Sequence, residues 1–132
     1  MKLPKYQVHP QHRNRHPEKS QWSISESEEE GLFKSSFSNG WLHPEDNEKC
    51  FGIISNNRKL RILGVSAAHK PPVQNLHFAR FTCDQCLWHG HPFGNGSSDL
   101  KQIPKVVLDN WKERDYISNA VRNKIHKGRY PL

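Results

Sequence analysis

Between Cys50 and Thr82 the chain runs in short apolar segments, and after Pro104 its apolar residues recur at helical spacing. This change of period constrains the fold more than any other feature of the sequence. Cys50-Phe51-Gly52-Ile53-Ile54 and Leu60-Arg61-Ile62-Leu63-Gly64-Val65 read as strands, and the short span Asn56-Asn57-Arg58-Lys59 between them favours an antiparallel hairpin. Leu76 to Thr82 supplies a third strand with imperfect alternation. Pro104 suits the first turn of a helix, where its missing N–H costs nothing. Val107, Leu108 and Trp111 then share one helical face, with Ile103 just before. Ile117, Ala120, Val121 and Ile125 mark a second helix from about Tyr116 to Lys127, and Gly128 is a natural stop. Strands followed by helices predict an α+β fold, with a small antiparallel β-sheet of three or four strands and a C-terminal pair of helices packed on one face.

The chain has 132 residues, of which 33% are apolar, so there is room for one domain and a modest core. Residues 1–30 are polar, rich in His, Arg and Pro up to Pro17 and in Ser and Glu from Ser25 to Glu30. Such composition buries too little apolar surface to offset the entropy of ordering, which predicts a largely mobile arm, with at most one strand or a docked Trp22. Residues 31–132 are expected to form the single α+β domain, with the sheet at about 31–82, a loop at 83–98 and helices at about 103–128. Phe33, Phe37, Trp41 and Leu42 offer its first large anchors, around the turn signal Ser38-Asn39-Gly40.

No leader-type apolar segment follows Met1-Lys2-Leu3-Pro4-Lys5, and no apolar run nears the roughly 18 residues of a membrane helix. Three cysteines do not make a disulfide framework. The expectation is a cytoplasmic protein in a reducing compartment, with no membrane partner.

Charge is unevenly spread. Residues 1–50 carry 7 Lys/Arg against 8 Asp/Glu, whereas residues 51–132 carry 13 against 5. The net charge of +7 therefore resides in the second part and points to an anionic partner, either nucleic acid or an acidic protein.

Cys83-Asp84-Gln85-Cys86-Leu87-Trp88-His89-Gly90-His91-Pro92 concentrates side chains that carry chemistry. Two thiolates and two imidazoles suit tetrahedral zinc, so Cys83, Cys86, His89 and His91 are candidate ligands. Only two residues separate Cys86 from His89, which crowds four ligands into one short loop. A mixed site drawing on Cys50, His69 or an arm histidine eases that crowding, and a metal-free packed loop removes it. A redox Cys-x-x-Cys wants a helix N-terminus, which Pro92 and Gly94 argue against. His89 and His91 are also candidate catalytic residues, a general acid and base for a metal-free ribonuclease or toxin, with Arg80 or Lys105 stabilising phosphate charge.

On the second helix Asn119, Arg122, Asn123, His126 and Lys127 fall at i, i+3, i+4, i+7 and i+8, one polar face opposite the apolar stripe. Arg and Asn pair with guanine and adenine edges. Arg129 lies just beyond, and Lys105 and Lys112 on the preceding helix reach toward phosphates. Amphipathic helices also expose such faces with no ligand at all. The functional expectation is a small basic nucleic-acid-binding protein that uses these helices and the Cys/His loop. A ribonuclease built on His89 and His91 is one alternative. A non-enzymatic interaction or inhibitor protein using the acidic Glu26–Glu30 run is the other.

Overall fold

The computed structural model describes residues 4–130. In chain order the elements are β1 (Lys5–Tyr6), a 3-10 turn (Pro10–His12), β2 (Gln21–Trp22), α1 (Glu26–Ser38), β3 (Leu42–His43), β4 (Asp46–Gly52), β5 (Ser55–Asn56) and β6 (Lys59–Leu60). There follow β7 (Gly64–Val65), β8 (Asn75–Leu76), β9 (Phe78–Asp84), β10 (Leu87–Phe93), α2 (Ser97–Leu100), α3 (Lys105–Glu113) and α4 (Asn119–His126).

The protein is α+β, but its sheet is not the small antiparallel one expected, and its helices are not confined to the C-terminus. The main sheet has five strands in the order β1-β10-β9-β4-β3, and it is mixed because β1 runs parallel to β10. A three-stranded sheet, β2-β7-β8, and the hairpin β5-β6 accompany it. The expected hairpin between residues 50 and 65 shrinks to β5-β6, closed by Asn57 and Arg58, both in the left-handed region as a tight hairpin turn requires. β4 pairs instead with β9, which sets Cys50 opposite Phe81 and Phe51 opposite Arg80.

The second departure is α1, which starts inside the acidic run. The Ser25 hydroxyl accepts the Glu28 N–H at 3.1 Å, and the Glu28 carboxylate accepts the Ser25 N–H at 3.3 Å, a reciprocal capping box. Glu26, Glu28 and Glu29 lie in the first turn, where the helix dipole favours negative charge. The run is therefore a helix start, and Leu32 and Phe33 one turn later bury its inner face.

The third departure is β10, which occupies residues expected to form a loop. Gln85 and Cys86, both at positive φ, make a tight turn that returns the chain from β9. From there the side chains alternate. Trp88 packs with Ala79, Phe81, Cys50, Leu32 and Phe33 on the α1 side of the sheet. Phe93 joins Phe51 and Phe78 on the other face, under Leu100, Val107, Leu108, Trp111, Ile117 and Ile125 of the C-terminal helical layer. Each such fully buried side chain contributes about 1.5–3 kcal/mol. Thr82, His89, His91 and Lys49, on the same face as Phe93, are only partly buried, so that part of the face stays open.

Candidate functional site

The open part of the face is a small grid. Register sets His91 opposite Arg80 and His89 opposite Thr82, with Lys49 beyond Thr82 and Phe51 beyond Arg80. Two further imidazoles come from the polar N-terminal stretch. After β1 pairs with Leu87 and Trp88, the chain turns across the sheet edge and brings His9 and His12 onto the histidines of β10. Ring centroids lie 5.8 Å apart for His9 and His89, 5.1 Å for His9 and His12, and 5.1 Å for His12 and His91. The last two rings are stacked, with planes 17° apart.

Hydrogen bonds fix where the protons sit. The Nδ1 of His12 faces the Ser20 carbonyl at 2.8 Å, and the Nδ1 of His89 faces the Gln7 carbonyl at 3.2 Å. A carbonyl only accepts, so both Nδ1 atoms carry hydrogen, and Nε2 is the atom of each ring left free to give or take a proton. His9 is the reverse: its Nδ1 accepts the Gln11 N–H at 3.3 Å.

The stretch is held by a buried triad. Glu29, on α1, is fully buried. It accepts two hydrogen bonds from Arg13, at 3.1 and 2.7 Å, and one from the Tyr6 hydroxyl. Arg13 also donates to the Ile24 carbonyl at 2.5 Å. Tyr6 and Arg13 bracket His9 and His12, so one carboxylate anchors both ends of the segment that carries them. Gly90 makes room for this: a Cβ there would lie 2.3 Å from the Phe81 ring and 2.8 Å from the Tyr6 hydroxyl. Further along, the Ser20 hydroxyl donates to the Pro92 carbonyl at 2.8 Å.

The electrostatics of the cluster are one-sided. Burial pushes His91 down to about 3, with help from His12, Arg80, Lys19 and His9. Burial also lowers His12, partly opposed by the Ser20 carbonyl and reinforced by His9, Lys19 and His16. His9 is lowered by burial and then by His89 and Lys19. Arg80 donates to Gln102 at 2.9 Å, while its Nε is buried with no partner. Among the described residues no carboxylate lies within 4.0 Å of Lys19 or Arg80. Asp99 shares with His91 and Ser20 the lining of a cavity of about 170 Å³, but it accepts the Asn95 N–H. The result is an imidazole cluster in which His9, His12 and His91 are biased toward the neutral form, beside cations that have no carboxylate partner among the described residues.

The other sequence candidates fall elsewhere. Cys83 packs into the core on the α1 side of the sheet, opposite His89 and His91, and Cys86 is exposed in the turn. Among the described residues no three His, Cys, Asp or Glu side chains are arranged to hold a metal ion. Burial raises the Cys83 thiol, with Glu48 adding to it, and it pushes the Cys50 thiol up to about 12, away from thiolate chemistry. Lys105, Lys112, Asn119, His126, Lys127 and Arg129 are exposed on the helical layer, and Asn123 is half-buried. Arg122 is engaged internally: its Nε and Nη2 both reach Asp109 at 2.8 Å, and its Nη1 donates to Asn123. His9, His12 and Lys19 were not singled out by residue reasoning. Their one sequence signal is the density of histidine before Pro17, which carries no information about where the segment docks.

No family model, curated protein or solved structure matches the chain. Among the described residues no helix is long and apolar enough to cross a membrane.

Proposed function

We propose that the protein binds nucleic acid, and that the open β9–β10 face receives its phosphates. The observation that carries this reading is the meeting of His9, His12, His89 and His91 beside Arg80, a cation with no carboxylate partner among the described residues. Arg80 offers charge-assisted hydrogen bonds to a phosphate oxygen. An anion seated there also favours protonated imidazoles, so the face gains positive charge as it is occupied. The exposed Lys105, Lys112, Lys127 and Arg129 offer further cations on the helical layer, whereas Arg122, bound to Asp109, adds little.

The test is fluorescence anisotropy with labelled single-stranded RNA and DNA at about 50 and 200 mM salt, because phosphate neutralisation makes affinity fall with salt. Arg80→Ala should weaken binding and reduce the salt slope by about 1. Reversing charge at Lys127 should weaken it uniformly across sequences. No binding at the lower salt, or full affinity in Arg80→Ala, overturns the reading.

A further inference from the structure

We propose that this face also cleaves RNA without a metal ion, His12 acting as general base and His89 as general acid. The inference rests on the phosphate-binding reading and adds chemistry to it. Three observations carry it. First, His12 and His89 each have Nδ1–H tied to a backbone carbonyl, at 2.8 and 3.2 Å, which orients the ring and leaves Nε2 as the reactive atom. A proton-transfer group needs this kind of orienting partner. Second, both rings belong to one cluster, with His9 between them at 5.1 and 5.8 Å. Neighbouring imidazoles resist double protonation, so one stays neutral while another carries the proton, which is what an acid–base pair requires. His12, held in the cluster and stacked on His91, is the ring whose surroundings favour the neutral form. Third, Arg80 stands on the next strand opposite His91 with no carboxylate partner among the described residues, a cation to meet charge developing on phosphorus.

The step balances without a co-reactant. The Nε2 of His12 takes the proton of a ribose 2′-hydroxyl as O2′ forms its bond to phosphorus. The bond from phosphorus to O5′ breaks, and the Nε2–H of protonated His89 gives its proton to O5′. The products are a 2′,3′-cyclic phosphate and a 5′-hydroxyl. The imidazoles then exchange protons with water to restore their starting forms. His91 and His9 touch no reacting atom in this scheme, and their role is to position His12.

The experiment uses the full chain, a labelled RNA strand and its all-deoxy counterpart, in excess EDTA, with binding measured alongside cleavage. The expected result is cleavage of RNA to cyclic-phosphate ends with the deoxy strand bound but intact. His12→Ala and His89→Ala should each lower the rate about a hundredfold or more, the range for loss of a positioned acid or base. The rate is read on RNA saturated with protein, so that any loss of affinity in either variant does not enter it. His12→Gln and His89→Gln repeat the test with polar side chains, should either alanine variant fail to fold. RNA bound but never cut overturns the cleavage proposal and leaves the binding reading standing. Neither binding nor cleavage overturns both. Cleavage that EDTA abolishes, or that survives loss of both imidazoles, overturns the assignment to this cluster.

Discussion

His91 should make the fold sensitive to mild acid. Its imidazole is held at about 3, against an ordinary value of 6.5, chiefly by burial. Below 6.5 the unfolded chain takes up a proton at this position, while the folded chain takes none until about 3. The unfolded state then binds more protons, so stability is intact above the ordinary histidine value and declines as the pH falls below it. At about pH 5 the loss from this one group is about 2 kcal/mol, nearly independent of how far below 5 the folded value lies. That is a sizeable share of the roughly 5–15 kcal/mol that holds a domain together. Urea unfolding followed by tryptophan fluorescence, at about pH 7.5 and pH 5, measures it. The buffer should contain no phosphate, the proposed ligand of the face. The comparison is with His91→Gln, which keeps a polar group of similar size but does not titrate. Wild type should lose about 2 kcal/mol more than the variant between the two pH values. Carboxylates such as Glu28, held low by the Arg61 hydrogen bond, titrate in both proteins and cancel in the difference. Equal losses in the two proteins would refute the claim that the fold holds His91 in its neutral form.

The remaining predictions concern the supports of the site. Glu29→Ala strips Tyr6 and Arg13 of their shared acceptor and leaves a guanidinium only 20% exposed without its counter-charge. It should cost about 3–5 kcal/mol in urea unfolding, and proteolysis at Arg13 and Arg15 should speed up as the segment detaches. A loss below about 1 kcal/mol would mean that the triad is not what holds the segment down. Gly90→Ala forces a methyl against Phe81 and Tyr6 and should cost about 1–3 kcal/mol. A stability equal to wild type would show that β1 does not press on β10 as described.

How much of this was legible in the sequence depends on the range over which each signal acts. α3 was readable because Pro104, Val107, Leu108 and Trp111 carry a local period, and local periods survive in the fold. α1 was missed because its clearest marker is a capping box inside a run of glutamates, which reads as a solvated tail unless Leu32 and Phe33 are counted with it. β10 was missed for a different reason. Gly90 and Pro92 argue against a strand, and His89 and His91 argue against burial. Both objections dissolve in three dimensions. Gly90 is where Tyr6 presses in. Pro92 sits beyond the last residue that β1 covers, since β1 pairs only with Leu87 and Trp88. A proline costs little where no neighbouring strand asks for its N–H. The triad could not be read from local patterns at all, because Glu29 lies 23 residues from Tyr6 and 16 from Arg13.

Formal charge describes this surface incompletely. Counting formal charge assigns the excess to residues 51–132 and treats every histidine as zero. That count led to α4, where Arg122 turns out to be bound to Asp109. It gives no weight to His9 and His12, which join His89 and His91 into one imidazole cluster. The same burial that lowers His9, His12 and His91 gives the surface its latent charge. Each proton the cluster refuses in the free protein is one that a bound phosphate would help it accept, because the anion supplies the countercharge the site lacks. Acid and anion therefore act on the cluster in opposite ways. Protons alone set imidazoles against one another and against Arg80 and Lys19, which loosens the docked segment. Protons taken up together with a phosphate neutralise it and hold the segment in place. On the proposed phosphate reading, a fold that sets Arg80 beside His9, His12 and His91 is thus destabilised by acid when empty and stabilised when the anion is bound.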